Sequence, residues 1–221
     1  VEYQHESGVG MRLEAYRKEY RQVRPRFENL LNTFVLLPEL KPDRIRIAPD
    51  RATAEGIELT VRGDQQALDW WVSYTWSSAQ DEMADTETDR SWDQTHFFSA
   101  GAVWTNPRWE ITVAGTYHTG WPTTAVTLIE TDPVGLIEAG PRNAERLDDY
   151  ATIDVRVARK FEFERAGSLT VFGEIGNVLG RANECCVEYE VEAEETPEPV
   201  LDLHTRDYLP VTPSLGFVWR F

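Results

Sequence analysis

The chain has 221 residues, with 38 Asp and Glu against 22 Lys and Arg and a formal charge of -16. That balance argues against a nucleic-acid partner, which needs a basic stripe. No stretch approaches the roughly 18 apolar residues of a membrane-crossing helix, and two adjacent cysteines, Cys185 and Cys186, do not make a disulfide framework.

Taken in chain order, the dominant pattern is apolar–polar alternation with a period of two, which reads as antiparallel strands. Residues 1–5 form the end of one strand and 6–8 a short turn. Residues 9–20 follow, with Met11, Leu13 and Ala15 opposing Arg12, Glu14 and Tyr16. The segment 21–50 carries Pro25, Pro38, Pro42 and Pro49 and is unsuited to a central strand. Residues 51–62 alternate again, and 63–66 read as a turn. In 68–79, Leu68, Trp70, Val72, Tyr74 and Trp76 lie on one face and Asp69, Trp71, Ser73, Thr75 and Ser77 on the other.

After the acidic stretch 81–90, residues 92–104 and 109–119 form two strands around Thr105-Asn106-Pro107-Arg108, a run with strong turn chemistry. Residues 120–148 are rich in turn formers. Strands are expected over 149–161 and 169–179, joined by a turn at 164–167, and 209–221 closes the chain after a long segment at 180–208. The total is about nine strands.

The connections alternate short and long. Short ones lie near 6–8, 63–67, 105–108 and 164–168, long ones near 21–50, 80–91, 120–148 and 180–208. A meander with short turns at one end and long loops at the other is the plan of an outer-membrane barrel, whereas Greek-key sandwiches mix their connection lengths. Strands of about 10–12 residues suit a tilted bilayer span. The acidic surplus in 81–93 and 184–202 reads as solvated loops. A sharper reading has these loops meeting divalent cations.

Aromatic placement agrees with interfacial girdles. Trp104 and Trp109 flank a short turn, while Trp76, Tyr117 and Trp121 lie near long loops. The face opposite the apolar one carries Arg12, Glu14, Glu58, Arg62, Asp69, Glu110, His118, Asp154, Arg156, Lys160 and Glu174. Burying such charges unpaired in a small filled barrel would cost several kcal/mol each, so a barrel built from this chain has to be wide. In the last strand Leu215, Phe217, Trp219 and Phe221 share one face, and the polypeptide ends on the bare Phe221.

That ending resembles the C-terminal assembly signal of bacterial outer-membrane barrels. More specifically, three segments resemble the C-terminal end of TonB-dependent outer-membrane receptors. These are Leu147-Asp148-Asp149-Tyr150-Ala151-Thr152-Ile153-Asp154-Val155, the run from Phe172 through Asn177 to Asn183, and the stretch from Pro213 to Phe221. The resemblance is concentrated in 147–221, and upstream it rests on loop rhythm and strand pattern alone. It implies an all-β fold: an antiparallel up-and-down transmembrane β-barrel, of which residues 1–221 are the C-terminal portion of a larger, roughly 22-stranded barrel. The N-terminal plug domain is not in this chain, and the start at Val1 reads as a processed end or a cut within a longer protein.

The resemblance further implies a cell outer-membrane location and active uptake of a scarce large nutrient such as a ferric siderophore. It implies contacts with outer-membrane lipid and lipopolysaccharide. The barrel assembly machinery would read Leu215, Phe217, Trp219 and Phe221, and the TonB complex would act through the missing plug. Tyr117, His118 and Trp121, at a strand–loop junction, are candidate extracellular contacts for an iron-chelate cargo. The alternatives are a passive porin or adhesin-type barrel and a soluble β-sandwich binding module. None of His5, His96, His118 and His204 sits in a catalytic motif, so no enzyme is expected, and the residues name no catalytic set, cofactor or metal. The vicinal cysteines could take a soft metal, although no His or Cys stands at ligand spacing. A bridge between neighbours needs a strained ring.

Overall fold

The computed structural model describes residues 1–33, 35–41, 43–84, 86–129, 136–192 and 200–221. The first strands are β1 (Glu2–Gln4), β2 (Val9–Arg21), β3 (Arg26–Asn29), β4 (Arg44–Ile47), β5 (Arg51–Gln65) and β6 (Leu68–Met83). They are followed by β7 (Thr86–Asp89), β8 (His96–Thr105), β9 (Trp109–His118), β10 (Pro122–Thr123), β11 (Val126–Ile129) and β12 (Leu136–Ala139). The last are β13 (Glu145–Arg146), β14 (Tyr150–Phe163), β15 (Gly167–Gly176), β16 (Glu184–Glu192), β17 (Val200–Asp207) and β18 (Thr212–Arg220). No helix among these residues is long and apolar enough to cross a membrane, which bears on helical crossing only.

Nine strands form one sheet in the order β1-β2-β5-β6-β8-β9-β14-β15-β18, with β7 folded back on β6. Every pairing along this path is antiparallel. The sheet is open, with β1 and β18 as its edges. The pairs β3–β4, β10–β13, β11–β12 and β16–β17 are small separate sheets inside the long connections. The expected all-β, nine-strand antiparallel meander is therefore present, without closure into a barrel.

Period-two alternation sets the two faces, and the register carries it across the whole sheet. Met11, Val61, Val72, Ala100, Gly115 and Ile153 are cross-strand partners in sequence. One residue along, Arg12, Thr60, Ser73, Ser99, Thr116 and Thr152 make an adjacent polar row. Thr60 and Ser73 share a hydroxyl–hydroxyl hydrogen bond of 2.9 Å there. Because a slip of one residue would exchange the faces, this register holds all eleven charged or polar residues from Arg12 to Glu174 named above on one side.

Among the described residues the apolar side carries no packed second layer. Leu13, Ile57, Val72, Phe98, Val113 and Ile175 remain exposed, and on β18 Leu215 and Phe217 are 89% and 71% exposed. A soluble monomer rarely shows a contiguous apolar patch beyond a few hundred Å². Such buried apolar residues as the fold has, among them Leu31, Ile47, Ala52 and Cys186, gather mostly at the long-loop end.

The register also tilts the strands. On the line of partners running from Gly10 through Arg62, Trp71, Gly101 and Ala114 to Asp154, the nearest short turn recedes steadily. Gly10 lies two residues from Gly8, whereas Asp154 lies ten from Glu164. Eight residues of drift over the six strand spacings between those two hairpins, at about 3.3 Å per residue and about 4.8 Å per spacing, correspond to strands inclined roughly 40°.

The boundaries differ from expectation at three places. The ladder continues through Gly63–Trp70 and Asp64–Asp69, so the turn shrinks to Gln66-Ala67, with Gln66 in the left-handed region at φ 51. Strand β6 runs to Met83 because β7 turns back and pairs with it. Trp92 lies in a turn, and β8 begins only at His96.

Candidate functional site

Three of the long connections converge on a cluster of buried and half-buried ionic groups. Asp81, at the loop end of β6, is 0% exposed. Its carboxylate accepts from Arg26, from Arg90 at 3.0 Å and from Arg142 at 3.1 Å. Glu28, on β3, accepts from Arg26, from the Ser91 hydroxyl at 2.9 Å and from Arg142 at 3.4 Å. Arg146 spans Asp89 at 2.8 Å and Asp93 at 2.6 Å, and also donates to the Gly120 carbonyl at 3.1 Å.

Four guanidiniums thus face four carboxylates, drawn from three separate loops and the end of one sheet strand. A buried charge is tolerable when it is paired, and the planar fork of Arg can serve two acceptors at once. Asn143 completes the tie. Its side chain donates to the Asp89 carbonyl at 2.7 Å and to Ser91 at 3.2 Å, and its own N–H donates to Thr124 at 3.1 Å. At φ 55 it occupies the left-handed region, which Asn tolerates better than most residues.

This arrangement differs from the solvated acidic loop expected over 81–93. Asp81, Asp89 and Asp93 are taken up by guanidiniums, so they hold loops together rather than present open ligands. Sequence reasoning missed Arg26, Glu28, Arg90, Arg142 and Arg146. A signal was present, since an arginine stands in each of the first three long segments, but partners 55 and 61 residues apart carry no periodicity to reveal them. Among the described residues no group of three or more His, Cys, Asp and Glu is gathered to hold a metal ion.

The fourth long connection is fastened at its root. The side chain of Asn183 donates to and accepts from the backbone of Ala151, at 3.0 and 2.8 Å. Asn177, in the left-handed region at φ 50, donates its N–H to Asp154 at 2.8 Å. The Val187 N–H then reaches the Leu31 carbonyl at 3.2 Å, joining the fourth loop to the first.

Of the three candidate cargo contacts, the structure brings two together. His118 is 7% exposed, stacks on Tyr150 with ring centroids 4.6 Å apart, and meets the Trp121 ring at 5.1 Å. Tyr208 packs edge-on against Tyr150 at 5.6 Å. Burial pushes the Tyr208 phenol above its ordinary range.

Tyr117, next along the strand, points to the apolar face, and its hydroxyl donates to Asp149 at 2.6 Å. That bond holds the Asp149 carboxyl below the usual carboxylate range. Partial burial opposes it, while the Gly120 N–H and the Arg181 charge assist.

Leu215, Phe217 and Trp219 lie on the apolar face of edge strand β18, with Phe221 fully exposed beyond its short-turn end. The Trp219 indole donates to the Ala166 carbonyl at 2.9 Å and stacks on Phe163 at 6.4 Å. Arg159 lies over the Trp109 ring at 5.0 Å. Aromatics thus gather beside the turns.

No protein-family model matches the chain, and no curated protein sequence matches it.

Proposed function

We propose that this chain is the C-terminal part of the wall of a wide outer-membrane β-barrel of the TonB-dependent receptor kind. In this reading the barrel takes up a scarce, large nutrient such as a ferric siderophore across the outer membrane. The observation that carries the reading is the uncovered apolar face running across all nine strands, backed by a charged face. Lipid outside and a hydrated or plugged lumen inside satisfy both.

Three further features support it. The strand inclination of roughly 40° falls within the range for outer-membrane barrels. On β9, Trp109 and Tyr117 bracket the apolar stretch at positions that project to roughly 20 Å along the normal at that tilt. Short turns lie at one end and long, mutually tied loops at the other.

The open sheet has a consequence under this reading. β1 and β18 both run from the long-loop end to the short-turn end, so joining them directly, or joining β18 to β1 of a second copy, would be a parallel pairing. Closure with antiparallel pairs alone needs an odd number of further strands. These would also protect the two edges, which are an aggregation liability when bare.

The test is uptake of a labelled ferric siderophore panel by cells carrying the complete protein, with and without a protonophore. Uptake that collapses when the proton-motive force is dissipated supports an energised receptor. Uptake that persists supports the passive barrel, and no uptake with the protein in the soluble fraction removes the membrane reading.

A further inference from the structure

Cys185 and Cys186 fall at the one irregularity of the β16–β17 ladder. The register passes from Glu184–Asp207 directly to Cys186–Arg206, so Cys185 is the extra residue of a β-bulge. In a regular strand, adjacent side chains point to opposite faces and their sulfurs stay apart. A bulge breaks that rule locally. Here the two free thiols meet, with Sγ atoms 2.8 Å apart, Cys186 buried and Cys185 partly exposed. A bridge between neighbours needs a strained ring, and the bulge is where the regular strand geometry that keeps the sulfurs apart is interrupted. The bulge also has fixed surroundings: Val187 is bound to Leu31, and Tyr208 is bound by its N–H to the Asn183 carbonyl at 2.8 Å.

We propose that Cys185 and Cys186 are an oxidation site that closes to a vicinal disulfide, locking the bulge at the root of the fourth loop. The oxidant is a small-molecule or protein disulfide of the kind found in oxidising compartments. The partly exposed Cys185 thiolate attacks that disulfide, forms a mixed disulfide and releases one thiol of the oxidant. Cys186 then attacks the Cys185 sulfur, forms the Cys185–Cys186 bond and expels the second thiol. Two protons and two electrons leave the protein, and the oxidant's one disulfide becomes two thiols, so the exchange balances. Burial raises the Cys186 thiol to about 12, together with its contact to Cys185. This makes it a slow attacker of external reagents and assigns it the second, intramolecular step, where proximity compensates.

The availability of the oxidant in the cell rests on the outer-membrane reading, whereas the reactivity of the pair does not. The experiment therefore uses the purified complete protein, reduced, cleared of reductant and exposed to oxidised glutathione, followed by alkylation and peptide mass analysis. The expected product is a peptide containing both cysteines, lighter by two hydrogens, unalkylated and free of glutathione. The Cys186→Ser variant should instead retain glutathione on Cys185. A wild-type protein that keeps glutathione on Cys185, or that leaves both thiols alkylatable, overturns the proposal. The wild-type result decides it even if the variant does not fold. Cell fractionation tests the membrane reading separately.

Discussion

Arg142 donates to Asp81 at 3.1 Å and to Glu28 at 3.4 Å, so one guanidinium from the third long loop bridges the end of strand β6 and a strand of the first loop. Its side chain is only 8% exposed. Removing it by Arg142→Ala leaves two buried carboxylates with fewer partners, although Arg26 and Arg90 remain on Asp81. The expected cost is about 2–4 kcal/mol, confined to the loop end. Hydrogen exchange should show faster exchange at Ser91 and Asn143 while the amides of β9 stay protected. Unchanged protection in the loops would count against the cluster as their fastening.

The sheet was legible in the sequence because alternation and turn chemistry are local. Leu68 to Trp76 alternate except at Trp71, and Asn106-Pro107 marks a turn regardless of what surrounds it. The faces followed as well, since a strand residue's side is fixed by parity. Parity also separates Tyr117 from His118, so grouping them as one contact surface by position in sequence ran against it. The loop end was illegible for a different reason. Arg26 and Asp81, or Asn143 and Ser91, find one another only after the meander has brought their loops together. Strands such as β3 and β4 are too short to show a period. The bulge at Cys185 is equally hidden, being a property of pairing with β17.

Val113 sits midway along β9 on the apolar face, and Ser99 sits on β8 on the polar one. In a bilayer, Val113→Arg should cost about 2–4 kcal/mol, the range for a cation at the midplane. Ser99→Arg, facing Ser73 and Thr116, should fall within about 1 kcal/mol of the parent. Denaturant titration of the protein folded into lipid vesicles measures both. Equal costs would show that the two faces meet the same medium.

Asp149 provides a pH dependence with a definite sign. Its carboxyl is held low by the Tyr117 hydroxyl. A carboxylate whose folded pKa lies below its unfolded one contributes stability in full above the unfolded value, and loses it as pH falls through the folded one. Protection of the Gly120 amide, which donates to Asp149 at 3.1 Å, should accordingly be constant above about pH 5 and fall at pH values below about 4. In Asp149→Asn it should be independent of pH across that range. A wild-type profile as flat as that of the variant would remove this linkage.

Phe221 is fully exposed beyond edge strand β18. If β18 is an assembly signal, Phe221→Ala in the complete protein should sharply lower its yield in the outer membrane and its heat-modifiable gel migration. Both readouts unchanged would contradict that role for Leu215, Phe217, Trp219 and Phe221.

The most direct test of the central claim, that the apolar face of the sheet is turned to lipid, is site-specific labelling in membranes. Val113→Cys and Ser99→Cys would each be made in a background with Cys185 and Cys186 replaced by Ser, then offered a charged and a membrane-partitioning maleimide. Val113→Cys is expected to react only with the membrane-partitioning reagent and Ser99→Cys with the charged one. Rapid reaction of Val113→Cys with the charged reagent, in protein recovered from the outer-membrane fraction or from the soluble one, would contradict it.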